Sequence, residues 1–369
     1  MHGTSLLDRL AGQLTRLCAV VDTDPTIPRQ LVADLLGPAA TRPVDQPPAW
    51  PSDIADDHTP VEYSVAFNEA EPPTLRILAE AQAATGDLAA HARAAYRFLD
   101  RQVDRFDLAT SRFDAVREVF ETDQPRGAFA LWYSLVFRSS RRPELKVYFN
   151  PAVRGEEHSA ALVVEALRKL GLDAAYPMMV DGGLRPGELG RRDQLTFFAL
   201  DLHDGDQARV KLYVSQYDAT ADDAVRAATV VDGIDPEQVA DFCTTAAGGP
   251  GPYARRPLVS SYTFTTGATQ PVGYSLYVPI RDYVDDDVQA RDRVHELLDR
   301  YGLDASRLDP AIDAVTDRPL ADGVGLIAHV SLRVGRPRPG ITVYLSAEAH
   351  QVAAARPGRH RTPMNAGSM

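Results

Sequence analysis

The chain has 369 residues, a formal net charge of −12, and 44% hydrophobic against 24% charged residues. That acidity argues against nucleic acid or an anionic membrane as partner, and the apolar fraction suits a globule with a sizeable core. Cys18 and Cys243 have neither CxxC spacing nor a histidine cluster beside them; they read as reduced, buried and structural in a cytoplasmic protein.

In chain order, helices are expected over 4–21 and 27–37. The first carries Leu6, Leu10, Leu14 and Leu17 between Asp8, Arg9 and Arg16. It is an amphipathic soluble helix, not a signal peptide. A Pro/Asp-rich connector over 38–60 holds Trp50, Asp53 and Ile54; a connector this long is often functional. Val61–Phe67 alternates as a strand with Glu62, Ser64 and Ala66 on one face. Helical spacing is read over 73–84, carrying Arg76, and over 87–106 and 110–121. Strands over 130–137 and 145–149 follow, then a helix over 156–170. Gly182, Gly183, Pro186, Gly187 and Gly190 read as a loop. Strands over 194–202 and 207–216 are joined by the tight turn His203–Asp206. Helices over 221–230 and 235–245 lead to strands over 260–266 and 273–280, and helices over 286–301 and 305–315 to strands over 324–334 and 340–346. From Ala353 the Arg/Pro/Gly-rich stretch reads as a flexible tail, leaving 1–352 as one domain.

Two regularities stand out. Tyr148, Tyr213, Tyr277 and Tyr344 recur at spacings of 65, 64 and 67 residues, each in an alternating strand, which marks a repeated unit. The chain has only three lysines, and two of them, Lys146 and Lys211, stand two residues before a repeat tyrosine. Arg209 shares a strand face with Lys211 and Tyr213. The order helix, helix, strand, strand, repeated about five times, predicts an α+β fold. About ten antiparallel strands can remove their edges by closing into a barrel inside a shell of helices. The basic residues and tyrosines then face a lumen. Cations enclosed there call for an anion such as a diphosphate, and phenol rings around them suit a shielded carbocation. Diphosphate and shielded cation together are what prenyl transfer requires.

Other motifs carry less. Asp322-Gly-Val-Gly leads into a strand, unlike a dinucleotide-binding turn. Asp285–Asp287 sits at a helix start, where acids are favoured. His329 reads as a residue of the barrel wall. HExxH, GxSxG and P-loop patterns do not occur.

The motifs Arg209-x-Lys211-x-Tyr213, Lys146-x-Tyr148, Tyr277-Val-Pro279, Thr342-Val-Tyr344 and His58-Thr-Pro-Val-Glu62 resemble the dimethylallyltryptophan synthase family of aromatic prenyltransferases, in its bacterial form, over about residues 50–350. The resemblance implies the ABBA (PT) barrel and transfer of a dimethylallyl group to an indole. It implies no cofactor and no metal, with dimethylallyl diphosphate as co-substrate and L-tryptophan as acceptor. It further implies that Glu62 accepts the indole N–H, and that Arg76, Lys146, Arg209 and Lys211 bind diphosphate. Tyr148, Tyr213, Tyr277 and Tyr344 would form the tyrosine shield, and Asp53, Ile54 and Trp132 would contact the aromatic substrate. Where fungal members that attack C4 carry a lysine base, this chain offers Trp132, Tyr133, Ser134 and Arg138. That disfavours C4, and the resemblance to the bacterial members implies attack at C5, C6 or C7, with C6 favoured. Ser275 stands where those relatives have a glutamine, loosening one diphosphate contact. Either Glu62 or the released diphosphate takes the arenium proton. Alternative readings are prenylation of tyrosine or a tryptophan-containing cyclic dipeptide, and a non-catalytic barrel that binds an isoprenoid diphosphate. A monomer or homodimer is expected.

Overall fold

The computed structural model describes residues 3–69, 71–139, 141–335 and 339–356. Five ααββ units follow one another. Helices α1 (Leu6–Val20) and α2 (Thr26–Leu36) precede strands β1 (Val61–Asn68) and β2 (Glu71–Glu80). Helices α3 (Leu88–Phe106) and α4 (Ser111–Phe120) precede β3 (Leu131–Phe137) and β4 (Glu144–Phe149). Helices α5 (Ser159–Lys169), α6 (Ala175–Gly183) and the short α7 (Gly187–Gly190) precede β5 (Asp193–Asp201) and β6 (Val210–Gln216). Helices α8 (Ala221–Ala228) and α9 (Pro236–Ala247) precede β7 (Leu258–Phe264) and β8 (Gly273–Val278). Helices α10 (Asp287–Arg300) and α11 (Leu308–Val315) precede the two-residue β9 (Gly323–Val324), then β10 (Ile327–Gly335) and β11 (Gly340–Ser346).

All strands but β9 and the terminal β12 (Ala353–Ala354) join one closed antiparallel barrel of ten, in the order β1-β11-β10-β8-β7-β6-β5-β4-β3-β2. The seam pairs the first barrel strand with the last, Glu62 opposite Ser346 and Ser64 opposite Tyr344. Alternation explains why this wall has two chemistries. On one face, Tyr63, Leu75, Tyr133, Val147, Leu212, Tyr262, Leu276, Leu332 and Val343 are buried among the helices. The outward tyrosines tie strand to helix: Tyr133 donates to Ala95 O at 2.9 Å and Tyr262 to Ala227 O at 3.0 Å. Outside the wall α1 packs on α2, α2 on α3, α4 on α5, α8 on α9 and α9 on α10, and α11 packs back onto α1. Among the described residues no helix is long and apolar enough to cross a membrane.

Local sequence sets the helix starts. Thr220 and Asp223 form a capping box at α8, and Asp87, Asp235 and Asp286 accept backbone N–H groups at α3, α9 and α10.

Four sequence expectations need correction. Residues 73–84 are not helical: β2 runs Glu71–Glu80, because Leu75, Ile77 and Ala79 alternate outward while Arg76 and Leu78 turn inward. The glycines at 182–190 do not make a loop; they lie in α6 and α7. A Cβ on Gly183 would come within 2.5 Å of the Tyr262 hydroxyl, so glycine serves close packing there. The strand expected over 324–334 is interrupted at Gly325, whose φ of +112° breaks β9 from β10. The chain past residue 352 is tied down: Ala353–Ala354 pair with β9, and Arg356 donates to the carbonyls of Arg281 and Val284. The rest of the expected tail lies outside the described residues.

Candidate active site

The inner face encloses a chamber of about 380 Å³. All twelve residues singled out from sequence reach its wall: Asp53, Ile54, Glu62, Arg76, Trp132, Lys146, Tyr148, Arg209, Lys211, Tyr213, Tyr277 and Tyr344. Arg76 gets there from a strand, paired with Ser64 on one side and Val136 on the other.

One region of the chamber is cationic. Arg76, Lys146, Arg209 and Lys211 converge there with Arg333, which the sequence reading did not single out. Burial and the surrounding cations Lys146, Arg209, Arg76 and Arg333 hold Lys211 well below its ordinary value; its ammonium lies 3.4 Å from Ser275 Oγ. Burial brings Lys146 down to about 8 although Asp201 opposes the shift. Asp201 was also missed. It sits opposite Lys146 in the β4–β5 register, 3.2 Å from that ammonium and 2.7 Å from Arg209 Nε. Burial would raise its pKa, but Lys146 and Arg209 hold it well below the usual carboxylate range.

Beside the cations the phenols form a continuous belt. Tyr148–Tyr213, Tyr213–Tyr277 and Tyr277–Tyr344 each have ring centroids 5.8 Å apart, tilted by about 50°. The equal spacing follows from the repeat, which places one ring per strand pair at the same level of the barrel. Phe197 closes the belt edge-on against Tyr148 and Tyr213, and Trp132 stacks on Phe129 at 4.1 Å. Phe197 faces inward in step with Ala199 and Asp201, opposite Tyr213 on β6.

Away from the cations, Glu62 stands on β1 between Leu78 and Ser346. It is 6% exposed, and burial pushes its carboxyl up to about 7 despite Arg281. Arg281 follows β8 in a 3₁₀ turn, pairs with Asp56, and lies 3.5 Å from His329 Nδ1. Burial, then Arg281 and Arg256, keep His329 neutral. Exposed Asp53 and buried Ile54 bring the 38–60 connector over this part of the chamber. Asp285–Asp287 stays outside it. Asp286 caps α10, and buried Asp287 pairs with Arg318. Among the described residues no group of three or more His, Cys, Asp and Glu is placed to hold a metal ion.

Ten strands from ααββ units, closed around a chamber of cations and phenols, define a PT-barrel prenyltransferase. The sequence profile of the family described as tryptophan dimethylallyltransferase matches residues 26–309. A solved 6-dimethylallyl tryptophan synthase is 61% identical, with a TM-score of 0.93 over 96% of this chain and 100% of its own. The 6-dimethylallyltryptophan synthase from Micromonospora olivasterospora, solved in complex with DMASPP and Trp, is 62% identical, with a TM-score of 0.93 over 95% of this chain and 100% of its own. The 5-dimethylallyl tryptophan synthase from Streptomyces coelicolor is 37% identical, with a TM-score of 0.87 over 98% of this chain and 99% of its own. This chain belongs to the tryptophan dimethylallyltransferase family.

Proposed function

We propose that this enzyme transfers the dimethylallyl group of dimethylallyl diphosphate to C6 of the indole of L-tryptophan. The observation that carries the reading is the adjacency, in one chamber inside the closed barrel, of five basic side chains and a belt of four tyrosines. Identity above 60% to two 6-dimethylallyltryptophan synthases favours C6 over C5 and C7.

In this mechanism Arg76, Lys146, Arg209, Lys211 and Arg333 bind the diphosphate. They stabilise it as the C1–O bond breaks and the electron pair leaves with oxygen, so no metal is needed. The allylic cation forms against the rings of Tyr148, Tyr213, Tyr277 and Tyr344, whose faces stabilise positive charge by about 0.5 to 2 kcal/mol each and exclude water. Asp53, Ile54 and Trp132 hold the amino acid and its ring. Glu62 accepts the indole N–H, pushing electron density into the ring while fixing its orientation. C6 attacks C1, and the released diphosphate or Glu62 takes the C6 proton, which restores aromaticity.

Incubation with dimethylallyl diphosphate and tryptophan in excess EDTA, with NMR of the product, tests this reading. The expected product is 6-dimethylallyltryptophan, formed at undiminished rate. An absolute requirement for Mg²⁺, or products only from tyrosine or a cyclic dipeptide offered in parallel, would overturn it.

A further inference from the structure

We propose that Asp201 is a built-in counter-anion that competes with the diphosphate for Lys146 and Arg209, weakening product binding so that the leaving group departs after each turnover. The inference rests on the diphosphate-transfer reading of the chamber. Asp201 ends β5 and is 4% exposed. Its Oδ2 accepts from Arg209 Nε at 2.7 Å and from the Arg209 backbone N–H at 3.0 Å. Its Oδ1 lies 3.3 Å from Arg209 Nη2 and 3.2 Å from Lys146 Nζ. His203 Nε2 stands 3.6 Å from Oδ2, and the carboxylate acts electrostatically on Arg112 of α4. Among the described residues, Asp201 is the one carboxylate in salt-bridge contact with Arg76, Lys146, Arg209 or Lys211.

Two of the cations that grip the leaving group are therefore already shared with a fixed anion at the same place. A diphosphate arriving there gains less than it would from unshared charges, because Asp201 repels it at close range in a dry site. The repulsion acts on bound substrate and released product alike. It lowers uniform binding, which does nothing for the chemical step and, in excess, would only slow release. The same carboxylate holds Arg209 and Lys146 in place, so it is a positioning residue as well as a counterweight. A purely structural clamp on the β5–β6 hairpin predicts the opposite sign: its loss would loosen Arg209 and Lys146 and weaken diphosphate binding.

The sign is read with inorganic diphosphate as the probe, by inhibition of turnover and by calorimetric titration, on the wild-type chain and on Asp201→Asn, Asp201→Ser and Asp201→Glu. Both neutral variants are expected to bind diphosphate about tenfold tighter or better. Their kcat should fall, with a burst of prenylated product in the first turnover that marks release as the slow step. Asp201→Glu keeps the charge and should return the inhibition constant to near the wild-type value. Should Asp201→Asn fail to fold, Asp201→Ser carries the same measurement. Unchanged or weaker diphosphate binding in the neutral variants overturns the inference while leaving the prenyl-transfer reading intact. Failure of the wild-type chain to bind inorganic diphosphate at all overturns both.

Discussion

Glu62 shows how one residue's environment sets a measurable property. Its carboxyl is pushed up to about 7 by burial, so the ionised form, the one we propose accepts the indole N–H, grows as pH rises through neutrality. The wild-type kcat is expected to climb with a midpoint near pH 7 and then level off. Glu62→Gln should lower kcat by about 10²-fold and abolish that limb, while diphosphate binding stays unchanged; equal pH profiles for the two enzymes would refute the assignment. Stability has its own sign. The folded pKa of Glu62 lies above its unfolded value, so its contribution is full below about pH 4.5 and is lost as pH rises through about 7. Glu80, 1% exposed on β2 and also pushed up to about 7 by burial, behaves alike. Glu80→Gln should therefore raise Tm at pH 8 and leave it unchanged at pH 4, as scanning calorimetry at the two pH values can check. At this scale the sequence was informative where chemistry repeats. Lys146 and Lys211 stand out because lysine is rare and the tyrosines are periodic. Asp201 had a weaker signal, since the tight His203–Asp206 turn pairs it back toward Arg209. Arg281 had none: it lies outside any strand and enters the site through the turn after β8.

At the scale of elements, the misread segment β2 shows where propensity misleads. Leu, Ala, Arg and Glu favour helix, yet Leu75, Ile77 and Ala79 alternate, and closure of the barrel settles the matter by pairing β2 with both β1 and β3. The 182–190 segment fails for the opposite reason, because glycine there answers to the Tyr262 hydroxyl across the α6–β7 contact, information that lies some eighty residues away in the chain. Elements of the fifth unit are held by one polar knot. Arg318 bridges Asp287, the first residue of α10, to Glu348 just past β11; Asp287 in turn accepts the backbone N–H of Gly325 and Ile327. Removing the guanidinium leaves two buried carboxylates uncompensated. Arg318→Met should cost about 3 kcal/mol or more, read as a lower urea midpoint. A shift within experimental error would mean that the knot is relaxed by water.

The whole molecule is a ring, and that distinguishes it from a linear array built of the same units. In a solenoid each repeat contacts only its neighbours, and end repeats melt first. Here β1 pairs with β11 and α1 packs on α11, so no unit is terminal and each strand of the wall has a partner on both sides. The tyrosine period and the need to remove sheet edges carried this closed architecture in the sequence, but the register of the seam did not show there, because pairing between residues 61–68 and 340–346 leaves no local mark. Closure has a thermodynamic consequence. Weakening one unit should lower the stability of the whole barrel, with no separate early transition. Tyr133→Phe removes the hydroxyl that donates to Ala95 O at 2.9 Å, a second bond on a carbonyl that keeps its helical partner within α3, at a cost of about 1 kcal/mol, on a strand face remote from the chamber. Far-UV circular dichroism samples helices in all five units, whereas fluorescence comes from Trp50 and Trp132 in the first two. In Tyr133→Phe the two signals should report one coincident transition, shifted together to lower denaturant, with turnover per folded molecule unchanged. Two separated midpoints would mean that the second unit can come apart while the others hold, and the barrel would then owe less to its seam than the pairing of β1 with β11 implies.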